Sequence, residues 1–192
     1  LVPATASTKV RLGPALLQLA SSLEFDIAEI VRPFLRELGH EVQETVDLSV
    51  QRGGSVVAVD QIIGRRRLVA VSQTGDRTPL HRTAAGKALL ATLPSEAARR
   101  AIERSQREHG SHPPADPARL AQELDEIRRS AIAYDREDHS AGVSAIATAL
   151  PDPLGGYFAI SVSMPTSRFR RSEAQTVAIL TKWRRIILSK LA

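Results

Sequence analysis

A chain of 192 residues, 43% hydrophobic and 24% charged, is long and apolar enough for one substantial core and is not compositionally disordered. It has no cysteine, which excludes disulfides, thiol nucleophiles and thiolate metal sites, and no apolar run of about 18 residues that would make a transmembrane helix. The net charge of +5 comes from arginine, since only Lys9, Lys87, Lys182 and Lys190 are lysines among 26 basic residues; acids are interleaved with the arginines and aromatics stand at 4%, so no base-stacking surface is indicated.

The opening LVPATASTKVRLG has no apolar core followed by a small-residue cleavage site, so the expectation is a soluble, cytoplasmic protein. Leu1-Val2 and Lys9 to Leu12 are short strand fragments. From Pro14, apolar residues recur at three- and four-residue steps through Leu16, Leu19, Leu23, Ile27, Val31, Phe34, Leu35 and Leu38. A break near Ser21-Ser22 makes 14–22 a linker helix. Pro33 is expected to kink or divide the run and Gly39 to stop it.

A strand block follows. Glu44 to Gln51 alternates, with Val46, Leu48 and Val50 on one face; Gly53-Gly54 is a turn; Ser55 to Ile63 is a second strand. Gly64 to Arg67 reads as another turn, with its three arginines as a charged hairpin tip, and Leu68 to Ser72 as the third strand of a meander. Three helices come next, over Thr83 to Leu93, Ser95 to Arg107 and from Asp116-Pro117 onward, the last carrying Leu120, Leu124 and Ile127. Ile132 to Tyr134 is extended and ends in the charged turn Asp135 to His139. Val143 to Leu150 and Tyr157 to Ser163 are strands around the turn 151–156. Ser172-Glu173-Ala174-Gln175 fits a capping box opening the C-terminal helix. The order predicts an α+β domain with a six-stranded antiparallel sheet and flanking helices.

The chemistry narrows quickly. There is no G-x-S-x-G elbow, no H-E-x-x-H, no P-loop and no G-x-G-x-x-G, so no catalytic set, metal or cofactor is expected. His109 and His112 read as a solvated pair in a surface loop. The stretch Thr83-Ala84-Ala85-Gly86 opens its helix with almost no side-chain bulk. That suits either a packed helix with Thr83 as N-cap or a seat for a small anion on the free backbone amides. Asp135 and Asp138 follow a strand, and Ser161 and Ser163 project from one face of another. Buried hydroxyls there need partners, from the neighbouring backbone, from water or from a ligand.

Four segments carry a family resemblance: Val10-Arg11-Leu12-Gly13-Pro14; Pro79-Leu80-His81 through Gly86-Lys87-Ala88-Leu89-Leu90-Ala91; Tyr134-Asp135-Arg136-Glu137-Asp138-His139 through Gly142-Val143; and Ala159-Ile160-Ser161-Val162-Ser163 with Pro165-Thr166-Ser167-Arg168. In order and spacing the chain resembles the effector-binding region of IclR-type bacterial transcription factors. The resemblance implies a GAF/PAS-like domain whose sheet forms one wall of a pocket for a small organic or aromatic acid. It assigns the effector to the start of the helix at Thr83, Ala84 and Ala85, to an acid before Gly142-Val143, and to Ser161 and Ser163, with Ala70 and Ala145 lining the cavity. The acid is Asp135, with Asp138 left open as the alternative. Ala145 stands where many members have cysteine. The resemblance further implies a homodimer or tetramer that is not an enzyme. Residues 1–13 would be the remnant of a wing, 14–22 a linker helix and 23–192 the effector-binding domain, with DNA read through an N-terminal winged helix that this chain lacks. Two rivals remain: a hydrolase using Ser161 with a His/Asp pair, and an interaction module without ligand.

Overall fold

A computed structural model describes residues 27–110 and 116–191. The expected wing remnant at 1–13 and linker helix at 14–22 lie outside them, as does His112. Helix α1 (Ile27–Val42) buries Val31, Leu35, Leu38 and Val42 and is not divided at Pro33. Nor does Gly39 end it. Gly39 is buried, and a Cβ there would lie 3.0 Å from Ile62 Cγ2, so this glycine permits close helix–sheet contact. The helix ends instead at Gln43, at φ 59°, whose N–H bonds the Gly39 carbonyl at 2.9 Å.

Strands β1 (Thr45–Arg52), β2 (Ser55–Ile62) and β3 (Arg77–Pro79) precede helices α2 (Ala84–Ala91), α3 (Ser95–Glu108) and α4 (Pro117–Ser130). Strands β4 (Ala133–Arg136), β5 (Val143–Pro151) and β6 (Tyr157–Pro165) follow, then helix α5 (Thr166–Leu191). The six strands form one sheet in the order β3-β2-β1-β6-β5-β4, and every pairing is antiparallel. This is the expected α+β architecture.

Alternation gives the sheet two unlike faces. Val46, Leu48, Val50, Ile146, Leu150, Phe158, Ile160, Val162 and Met164 pack with α1 and α5 through Leu35, Leu38, Leu180 and Ile187. Each such large side chain, taken wholly out of water, contributes roughly 1.5–3 kcal/mol. On the opposite face Ala145, Ala147, Ala159 and Val56 meet Leu80, Ala88, Leu89 and Leu90, with Leu120, Leu124 and Ile127 of α4 behind. Small residues there leave space that large ones fill on the other side.

Two expected elements are displaced. Leu68 to Ser72 is not a strand: Leu68 and Val71 are exposed, and β2 pairs instead with β3, Val57 opposite Arg77 and Ser55 opposite Pro79. An apolar, β-branched run marks a fit to a pleated half-buried surface. Here the run is unpaired and held by side chains, Arg168 Nη2 donating to the Leu68 carbonyl at 2.6 Å and Ser72 Oγ to Asp47 Oδ1 at 2.7 Å. The capping box also fails. Helix α5 begins directly after β6, where Thr166 N–H bonds the Gly142 carbonyl at 2.9 Å, and Ser172 lies inside the helix with its hydroxyl on the Arg168 carbonyl. The arginine turn is more tightly held than a solvated tip: Arg66 pairs with buried Glu44 at 3.0 Å, and Arg168 meets the same carboxylate at 2.7 Å. His109 is likewise not solvated. It ends α3 and its Nε2 lies 2.9 Å from Ser55 Oγ.

Candidate functional site

Between the small-residue face of the sheet and the start of α2 lies a cavity of about 250 Å³, about eight waters' worth of space. Thr83, Ala84, Ala85, Asp135, Ala145, Ser161, Ser163 and Ala70 all line it.

Helix α2 is built to place its first amides there. Thr83 sits at φ −87°, ψ 150° as N-cap; its Oγ1 accepts from Gly86 N–H at 3.1 Å and donates to the Pro79 carbonyl at 3.1 Å. Lys87 N–H bonds the Thr83 carbonyl at 2.9 Å. The amides of Ala84 and Ala85 are left without acceptors inside the helix, at its positive end. Gly86 is small for another reason. A Cβ there would meet the Leu80 carbonyl oxygen at 2.2 Å, so the glycine lets α2 rest on the backbone before it. The packed-helix reading with Thr83 as N-cap therefore holds, and Ala84 and Ala85 are the residues to which the anion-seat reading would apply.

The opposite wall follows from strand register. Asp47 pairs with Ser161, and Ser161 with Ala147; Ser163 pairs with Ala145, and Ala145 with Asp135. Asp135 belongs to β4, not to a turn. Its Oδ1 accepts from Asp138 N–H at 2.8 Å and His139 N–H at 3.4 Å, while Oδ2 carries no hydrogen bond among the described residues. Burial pushes its carboxyl up to about 6, against the two backbone hydrogen bonds and the Lys87 charge. Asp138 points elsewhere, to Lys87 Nζ at 2.8 Å and Arg119 at 3.3 Å. Asp135, not Asp138, therefore faces the cavity.

Sequence reading missed Asp47. This buried carboxylate accepts from Gln61 Nε2 at 2.6 Å, Ser72 Oγ at 2.7 Å and Ser163 Oγ at 3.2 Å, and burial pushes it above the ordinary range. The signal was available: putting Val46, Leu48 and Val50 on one face puts Thr45, Asp47 and Ser49 on the other. The two serines differ in consequence. Ser163 is satisfied by Asp47, whereas Ser161, a buried residue on the cavity wall, makes no side-chain hydrogen bond among the described residues. Among the described residues no histidine bonds Ser161, which the hydrolase alternative would require.

The raised carboxyl makes stability fall as pH rises. Between the ordinary aspartate value and about 6 the unfolded chain has released its proton and the folded chain has not. The cost at pH 7 relative to pH 4 is about 2 kcal/mol for Asp135. Asp135→Asn, which keeps the Oδ1 acceptor, is expected to be more stable than the parent at pH 7.5, with the gap closing toward pH 4. Urea unfolding across that range measures it; an unchanged gap would overturn the assignment.

The family model "Bacterial transcriptional regulator IclR C-terminal" matches residues 20–188. The chain belongs to the IclR family of transcriptional regulators. It is 38% identical over 173 residues to the HTH-type transcriptional regulator Rv1719 of Mycobacterium tuberculosis, covering 90% of this chain and 67% of that one. It is 39% identical over 158 residues to the HTH-type transcriptional regulator TtgV of Pseudomonas putida, covering 82% and 60%. The chain thus spans about two thirds or less of these curated relatives. Among solved structures, the C-terminal domain of the E. coli transcriptional regulator KdgR matches with TM-score 0.71 at 27% identity, over 87% of this chain and 99% of that one. Thermotoga maritima IclR matches the fold with TM-score 0.77 at 24% identity, over 93% and 74%. The IclR-family relatives are named as regulators and repressors, and the family is not enzymatic. No helix among the described residues is long and apolar enough to cross a membrane.

Proposed function

We propose that this chain is the effector-sensing and oligomerisation part of an IclR-family regulator, and that a small organic acid occupies the cavity beside α2. One observation carries the reading: Ser161 Oγ and Asp135 Oδ2, neither with a hydrogen bond among the described residues, belong to residues that line a cavity together with Ala84 and Ala85, whose amides have no acceptor inside their helix. A hydroxyl and a carboxylate oxygen that open onto a cavity with unused hydrogen-bonding capacity offer an occupant bonds that the protein itself does not make. Binding would shift the balance between oligomeric arrangements, and so the DNA affinity of a winged helix domain elsewhere in the regulator, by the difference in ligand affinity between them. Cytoplasmic location fits this role.

A screen of small acids by thermal unfolding tests the reading. A ligand at a hundred times its dissociation constant stabilises by about 2.7 kcal/mol, a melting-temperature rise of about 5–10 °C for a domain of this size. Ser161→Leu is expected to remove that rise by filling the cavity. A ligand-free interaction module predicts no rise with any acid, and that result would sink the proposal.

A further inference from the structure

We propose that the cavity takes its ligand in an uncharged, hydrogen-bond-donating form, either a carboxamide or an organic acid that brings its proton, in preference to a free carboxylate. The inference rests on the effector-cavity reading above and names the charge state that the cavity selects.

The inventory of the walls decides it. Asp47, Asp76 and Asp135 line the cavity together with one histidine, His139, and no described lysine or arginine lines it. Lys87, the cation whose charge acts on Asp135, does not line the cavity; it is buried and engaged by Glu123 at 2.9 Å and Asp138 at 2.8 Å. A free carboxylate would gain the two amides of α2 and would meet Asp135 Oδ2 with a second array of acceptors and no proton between them. Like charges at that range disfavour ionisation of both groups. An amide or a protonated acid offers an oxygen to the Ala84 and Ala85 amides and an N–H or O–H to Asp135 Oδ2. Ser161, whose hydroxyl both donates and accepts, suits either edge of such a group.

The groups facing Asp135 reinforce this. Asp138 and His139 from the following turn and Lys87 from α2, the last shared with Glu123 of α4, act on it directly, while Asp47 from β1 and the exposed Asp76 before β3 share the cavity wall with it. Acids outnumber bases around it. A carboxyl poised near 6 holds the shared proton close to neutral pH, so an acid binds with uptake of one proton and its affinity falls about tenfold per pH unit above that value.

Isothermal titration with benzoate and its neutral isostere benzamide, at pH 5.5 and 8.0 and in two buffers of different ionisation enthalpy, tests the proposal. Lactate with lactamide, and 4-hydroxybenzoate with 4-hydroxybenzamide, extend the set. The expected result is amide affinity within about threefold at the two pH values, and acid affinity about fifty- to a hundredfold weaker at pH 8.0, with one proton taken up. In Asp135→Asn, whose side chain supplies its own N–H, the acid is expected to bind equally at both pH values without proton uptake. Acid binding that is independent of pH in the parent chain, or acid preferred over amide at pH 8.0, would overturn the charge selection and leave the cavity reading standing. Silence from all three pairs at both pH values would overturn both.

Discussion

Replacing Gly86 with alanine is expected to lower the free energy of unfolding by about 3 kcal/mol or more, seen as a large drop in the urea midpoint. The added methyl would sit 2.2 Å from the Leu80 carbonyl oxygen and 2.5 Å from the Leu80 Cα. Those are backbone atoms, so no rotamer change relieves the overlap, and α2 must lift from the chain beneath it. Overpacking usually costs about 1–3 kcal/mol, and the upper end applies where one backbone meets another. Domains of this size are stable by only about 5–15 kcal/mol. Gly110→Ala is the control, since its Cβ would lie 3.7 Å from the Gln106 carbonyl and meet nothing closer. An equal loss in both variants would show that the contact under α2 is not the cause.

The second large effect concerns Lys87, which is 3% exposed between two carboxylates that are about a quarter exposed. Glu123→Gln with Asp138→Asn leaves that ammonium buried without either of its ion-pair partners. A loss of about 3–5 kcal/mol is expected, because the desolvation cost stays while the Coulomb gain disappears. Lys87→Met is expected to be milder. Its methionine fills the same volume, and the two acids left behind keep Arg119, at 2.8 Å from Glu123 and 3.3 Å from Asp138. Guanidinium unfolding would mask the electrostatics with salt, so urea is the denaturant of choice. A lysine variant worse than the double carboxylate variant would contradict this account.

The fold was readable wherever hydrophobic period carried the information. The alternation of β1 and of β6 and the stripe Leu120, Leu124, Ile127 in α4 each placed an element within a residue or two. Local signals misled where the tertiary setting overrode them. Ser172 to Gln175 has the residues of a capping box, but β6 hands the chain to α5 six residues earlier. Leu68 to Ser72 has the composition of a strand, but the only strand pairing on that edge of β2 among the described residues is Ser55 to Val57 with Arg77 to Pro79, and the Leu68 to Ser72 run is held to β2 by a side chain instead, Gln61 Nε2 donating to Ser72 Oγ at 2.8 Å. Gly39 looked like a helix stop because sequence does not show that Ile62 packs against it. The candidate site was half visible. Small residues before a helix and paired serines on a strand pointed to it, and the family resemblance named the positions. Asp47 escaped because a carboxylate in an alternating strand ordinarily faces water. Only the pairing of β1 with β6 brings it beside Ser161 and Ser163.

The unlike faces of the sheet have an evolutionary consequence. Along β6, Phe158, Ile160, Val162 and Met164 anchor the core beneath α1 and α5, while Ala159, Ser161 and Ser163 alternate with them toward the other side. A substitution at Ser161 or at Ala145 therefore alters what the cavity admits without touching a side chain that holds α1 and α5 in place. On the effector reading proposed above, specificity and foldability are written on alternate letters of the same strand, and the chemical cue is open to change by point substitution with the scaffold kept.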